Sequence, residues 1–233
     1  MDEAQDYSPF QLVLIRKMFP YSKMTVLGDL NQAIYLHSSA GIVDFQRLTS
    51  DQNVETETII LNKSYRSTRP IIEFTRQMID DGEQIEAFNR NGNKPTIEIV
   101  NDKSVLYQNI FQRVGMLQEQ GSQTTAIICK TQEESFEAYE SLKDKLEINY
   151  ITRETSSFKT GIFVLPSYLA KGLEFDAVIL FDASKDRYSK ESERKLFYTA
   201  CTRAMHELYI YSLGEISPFI SSVSTDSYIL SNQ

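Results

Sequence analysis

Cysteine is scarce: the 233 residues contain two, Cys129 and Cys201. Two thiols cannot build a disulfide framework, so both read as small buried residues in a reducing, cytoplasmic compartment. Basic charge is in deficit. Lys and Arg number 24 against 32 Asp and Glu, leaving a net charge of −8. That balance excludes a polybasic nucleic-acid coat and leaves nucleic acid only a local groove. No apolar run approaches the roughly 18 residues that a membrane helix needs. The opening Met1-Asp2-Glu3-Ala4-Gln5-Asp6 lacks the basic-then-apolar order of a signal peptide. His37 and His206 have no second ligand at metal spacing, which argues against zinc. Internal repeats are absent, and low complexity is confined to a Ser-rich tail, Ser221 to Gln233. Secreted, membrane, collagenous and zinc-cluster classes are set aside.

What is present suits a packed fold. Hydrophobic residues make up 41% and charged residues 24%, in keeping with one α/β domain or one domain plus a fragment of another. Short β-branched runs predict strands over Met24–Leu27, Thr58–Leu61, Thr96–Val100, Thr125–Cys129, Gly161–Leu165, Ala177–Phe181 and Leu208–Tyr211. Apolar residues three and four apart predict helices over Pro9–Phe19, Arg69–Ile79, Val105–Gln118, Glu133–Leu146 and Ser192–Met205. The stripe Phe10, Leu14, Met18 reads as core. Asp81 to Pro95 reads as a loop or hinge, and the tail from Ser221 as surface. Strands and helices in alternation predict a parallel sheet covered on both faces. In such sheets chemistry is expected at the carboxyl ends of the strands.

Polar clusters interrupt this pattern in a fixed order: DEAQD from Asp2, GDLNQAIY from Gly28, SYRS from Ser64, KGLEFD from Lys171 and YTACTRA from Tyr198. Singly they are weak signals. An Asp-Glu pair commonly starts a solvated helix, Asp29 suits a turn cap, and tyrosines are commonly buried with one bonded hydroxyl. Asp6 and Asp176 read as supports for neighbouring loops, and Thr202 as a residue that orients Arg203. Together, across Asp2 to Ala204, the clusters closely resemble the later motifs of superfamily 1 helicases of the UvrD/Rep type. The resemblance implies an α/β fold of the P-loop NTPase, RecA-like kind, with a parallel sheet flanked by helices. It implies a remnant of a first RecA-like domain over 1–66 and a complete second one over 67–233.

The resemblance also implies roles. Asp2 matches the Mg²⁺ ligand, a hard carboxylate for a hard cation. Glu3 matches the residue that orients and deprotonates the attacking water, and Gln32 the γ-phosphate sensor. Arg66 and Arg203 match two arginine fingers, whose guanidinium groups fork onto phosphate oxygens. Tyr65 matches the aromatic that stacks on the adenine of ATP. Glu174 matches the carboxylate that accepts a ribose hydroxyl, with Gly172 allowing close backbone approach. Tyr35 matches an aromatic near single-stranded DNA, where a stacked base is worth roughly 1–3 kcal/mol.

Three departures qualify the resemblance. No G-x-x-x-x-G-K-[ST] occurs in the sequence. The chain therefore reads as the C-terminal part of an ATP-dependent helicase or translocase, inactive without its N-terminal half. Only about a hundred residues separate Arg66 from Gly172, enough for a few α/β units without a large accessory domain. Pro166-Ser167-Tyr168-Leu169-Ala170-Lys171 stands where UvrD-like proteins carry a Thr-x-His that contacts DNA. The combination of DEAQDYSPFQ, a compact second domain and PSYLAKGLEFD looks closest to HelD-type proteins, which use the same engine to act on RNA polymerase. A non-catalytic module that binds protein or single-stranded DNA is the third reading.

Overall fold

The computed structural model describes residues 1–34, 57–155 and 160–232. Tyr35, the expected DNA-side aromatic, lies outside the described residues. The chain divides into two compact units, Met1–Leu61 and Asn62–Gln233. The expected boundary followed Arg66, so Tyr65 and Arg66 fall within the second unit.

Among the described residues the first unit holds one α-helix, α1 (Pro9–Met18). Its start is written in the sequence. The Ser8 hydroxyl accepts from the Gln11 amide, the Gln11 side chain accepts from the Ser8 amide, and Pro9 occupies the first turn. The predicted core stripe is a correction. Leu12 is the buried residue of α1, whereas Phe10, Leu14 and Met18 are 74%, 46% and 62% exposed. The predicted strand Met24–Leu27 is not a strand, yet its backbone pairs with the chain start. The Met1 ammonium donates to Thr25 O, Leu27 N to Met1 O and Ala4 N to Leu27 O, at 2.7, 2.9 and 2.8 Å. Thr58–Leu61 is likewise not a strand, and Ile59, Ile60 and Leu61 are exposed.

The second unit is the expected α/β architecture. After β1 (Lys63–Ser64) come α2 (Arg69–Thr75), β2 (Glu86–Ala87), β3 (Thr96–Val100) and α3 (Lys103–Glu119). Then follow β4 (Thr124–Cys129), α4 (Gln132–Leu142), β5 (Ile148–Tyr150), β6 (Gly161–Pro166) and β7 (Phe175–Leu180). The chain finishes with α5 (Arg194–Cys201), β8 (Ala204–Leu213), α6 (Pro218–Ser221) and β9 (Ile229–Asn232). Seven strands form one sheet in the order β5-β6-β4-β7-β8-β3-β9, every neighbouring pair parallel. β1 and β2 form a separate parallel pair.

Alternating side chains feed two cores, because successive Cβ atoms point to opposite faces of a sheet. Ala126, Ile128, Val178 and Leu180 pack with Ile71 and Phe74 of α2 and Phe197 and Ala200 of α5. Ile127, Ala177 and Ile179 pack with Leu106, Ile110 and Val114 of α3 and Ala138 and Leu142 of α4. Both cysteines are buried, and burial pushes both thiols up in pKa, so they stay protonated at neutral pH. Two expectations change here. The segment read as a loop or hinge, 81–95, contains β2. The tail read as surface buries Val223 and Tyr228 and supplies β9, which pairs with β3 from Thr96↔Ile229 onward.

Candidate active site

In the first unit, Glu3 occupies the left-handed region, with φ 50° and ψ 43°. It has the only positive φ of a non-glycine residue among the described residues. Such a conformation costs roughly 1–3 kcal/mol and persists only where its surroundings over-determine it. The surroundings are a polar network. Buried Gln5 donates through Nε2 to Glu3 Oε2 at 2.5 Å, and its Oε1 accepts from the Asp29 amide at 3.1 Å. Asp29 caps the 3₁₀ turn Leu30–Gln32 by accepting from the Asn31 amide, as its sequence position suggested. Its other oxygen accepts from Gln32 Nε2 at 2.8 Å. Glu3 and Gln32, far apart in sequence, are thus joined through Gln5 and Asp29. The sequence reading gave Gln5 no role; a glutamine in an acidic cluster before an apolar helix was the available signal.

Asp2 lies on an open cleft of about 320 Å³ with Glu3, Asp6, Tyr7 and Gln11. Its Oδ1 accepts from the Glu3 amide at 2.9 Å. Among the described residues no group of three or more His, Cys, Asp or Glu side chains is assembled to hold a metal. One exposed carboxylate fits Mg²⁺ of the kind that keeps waters and substrate phosphates as its remaining ligands.

In the second unit, Arg66 and Glu174 are brought together: Arg66 Nε donates to Glu174 Oε1 at 2.5 Å. Both side chains are part-exposed, so the pair is worth about 0–1 kcal/mol and exchanges partners easily. Glu174 follows a turn at Gly172, whose φ of +79° a side chain would strain. Tyr65 is 60% exposed, against the buried-tyrosine reading, and its ring lies 5.0 Å from that of Phe88. Arg203 is 1% exposed. Its Nε donates to Thr199 O at 3.0 Å, one terminal nitrogen to Leu173 O at 3.3 Å and the other to Thr202 Oγ1 at 3.2 Å. The structure therefore turns this guanidinium inward, where it anchors the turn that carries Glu174. Thr202 orients it, as expected.

The placement relative to the sheet corrects the sequence reading. Gly172 and Glu174 immediately precede β7, and Arg203 immediately precedes β8, with Phe175 paired to Ala204. The cluster sits at the amino ends of these strands, not at carboxyl ends. Asp176 supports the same edge by accepting from the amides of Gln123 and Thr124 at 2.8 and 2.9 Å.

With this geometry in hand, comparison with known proteins is specific. Residues 161–211 match the UvrD-like helicase C-terminal domain, and residues 1–53 match the UvrD/REP helicase N-terminal domain. The crystal structure of the C-terminal domain of a possible DNA helicase from Lactobacillus plantarum WCFS1 superposes with a TM-score of 0.63 at 35% identity. It covers 72% of this chain, and the match takes in 98% of that chain. The chain belongs to the UvrD-like DNA helicase family, an enzyme class. The ATP-dependent DNA helicase srs2 of Schizosaccharomyces pombe is 34% identical over 80 residues, 34% of this chain and 9% of that protein. The ATP-dependent DNA helicase UvrD1 of Mycobacterium tuberculosis is 34% identical over 90 residues, 34% of this chain and 11% of that protein. The chain thus spans about a tenth of the length of these two relatives. Among the described residues, no helix is long and apolar enough to cross a membrane.

Proposed function

We propose that this chain supplies the C-terminal share of an ATP-driven motor that moves on single-stranded DNA in the cytoplasm. The observation that carries the reading is the Arg66–Glu174 pair: two motif residues 108 positions apart meet on one exposed edge, beside the turn at Gly172. In this reading the pair exchanges partners when nucleotide binds. Arg66 leaves Glu174 for phosphate oxygens, and Glu174 becomes the acceptor for a ribose hydroxyl. Exposed Tyr65 offers its ring to adenine. Glu3, held in its left-handed conformation by Gln5, orients and deprotonates the attacking water, and Gln32 reads the γ-phosphate. Asp2 would hold Mg²⁺, which when bound neutralises charge on the phosphates. Arg203 is the second finger that the family pattern names; in its inward position it sets the Glu174 turn.

The sequence contains no phosphate-cradling P-loop, so the chain alone is expected to show no useful ATP hydrolysis. Joined to a P-loop-bearing half from a family member, it is expected to hydrolyse ATP. In that chimera Arg203→Ala should lower turnover by roughly 10³-fold or more. A wild-type rate would remove Arg203 from the mechanism. A second reading, an engine that remodels RNA polymerase, is favoured by the compact passage from Arg66 to Gly172, which carries the short strands β2 to β6. DNA-stimulated ATPase in the chimera supports the translocase; stimulation by RNA polymerase alone supports the second reading. ATPase activity in neither case would favour a binding module.

A further inference from the structure

The segment Glu86 to Asn93 makes contact after contact with the Tyr65–Arg66 loop. β2 runs parallel to β1, with Lys63 opposite Glu86 and Ser64 opposite Ala87. The Phe88 amide donates to Ser64 O at 3.0 Å, and the Phe88 ring lies 5.0 Å from the Tyr65 ring. One Arg90 terminal nitrogen donates to Arg66 O at 2.9 Å, while the other lies 3.0 Å from a ring nitrogen of His206 on β8. The Arg90 carbonyl accepts from the Arg69 amide at 2.8 Å. At Gly92 the backbone approaches so closely that an added Cβ would stand 2.5 Å from a Thr68 methyl. Asn93 Nδ2 donates to Glu207 Oε1 at 2.8 Å.

These contacts tie one surface segment to β1, the Tyr65–Arg66 turn, the start of α2 and β8. From these we infer that residues 86–93 form a backing strap, in which Phe88 and Arg90 are positioning residues for Tyr65 and Arg66. This inference rests on the reading that Tyr65 and Arg66 face the nucleotide. Phe88 packs against the Tyr65 ring at an interplanar angle of 36° and so pre-sets its orientation. An aromatic pair adds orientation as well as burial. Arg90 fixes the backbone on which the Arg66 side chain swings, so that the guanidinium exchanges Glu174 for phosphate without moving its own Cα. Ordering the loop before binding reduces the entropy lost on binding.

Two measurements on the isotopically labelled full chain test this. In the first, native-state amide exchange is read at Phe88 and Arg69, whose carbonyl acceptors are unchanged by substitution. Arg90→Ala should speed both by about tenfold, with Ile110 and Ile127 unaffected, and Arg90→Lys should restore little, since an ammonium lacks the rigid planar fork that spans Arg66 O and the His206 ring. Unchanged exchange would overturn the clamp whatever the function. In the second, ADP with Mg²⁺ is titrated at millimolar concentration while the Tyr65 ring resonances are followed. Phe88→Ala should weaken binding by about fivefold, and Phe88→Tyr should restore it. If calorimetry shows that Tyr65→Ala abolishes ADP binding while Phe88→Ala leaves it intact, the strap has no positioning role and the nucleotide reading stands. If neither the wild-type chain nor its P-loop-bearing chimera shows a Tyr65 response, the nucleotide reading fails, and the exchange experiment alone decides the clamp.

Discussion

The two units hold their motif residues by opposite means. In the second, Arg203 and the Gly172–Glu174 turn are bolted to strands whose two faces are filled with side chains. In the first, Glu3 and Gln32 are fixed by a short chain of amide and carboxylate contacts, beside a helix whose apolar stripe faces outward. A site on a filled sheet resists local change and yields to core damage. A site on a polar network yields to loss of one hydrogen-bonding side chain.

Four substitutions probe that contrast. Phe197→Ala, in the core of the second unit, should cost about 3–5 kcal/mol in urea unfolding. A loss under 1 kcal/mol would mean that the α5 face is not the support it looks. Gln5→Ala should cost about 1–3 kcal/mol, because the Asp29 amide and the Glu3 carboxylate lose a buried partner. Faster amide exchange at Asp29, with the sheet amides unchanged, is the expected signature.

The third probe is pH. Burial pushes the Glu193 carboxyl up, but the Lys130 ammonium and the amides of Lys190 and Ser189 outweigh it, holding its pKa below the usual 4.5. A depressed carboxylate stabilises the fold above its unfolded value and loses that contribution as pH falls through its folded one. The stability gap between wild type and Lys130→Met should therefore be widest at neutral pH and should narrow below about pH 4. A gap that widened in acid would refute the pairing. Smallest is Phe10→Ser on the exposed stripe of α1, expected within about 0.5 kcal/mol of wild type.

Much of the second unit was legible because β-branched runs and helical spacing agreed with one another; β3 falls on Thr96–Val100 as read. The tail failed because Ile229 and Leu230 sit among serines that mask a short strand. The segment 81–95 failed because its structure comes from contacts distant in sequence, through Phe88 and Arg90, which leave no local period. Phe10, Leu14 and Met18 failed because a spacing of four shows that a face is apolar, not that anything covers it. The site residues were named through ordered motifs. Their placement at amino ends of β7 and β8 was not legible, since strand-end rules do not say which end a motif adjoins when short turns separate it from the next strand.

The last strand has a practical corollary. With β9 in place, β3 is an interior strand with pairing on both sides. Trimming from Ile229 onward to tidy the molecule for expression would bare the outer ladder of Thr96–Ile99, and such an unguarded margin recruits other polypeptides. Affinity handles are better carried on a spacer that leaves Ile229–Asn232 in place.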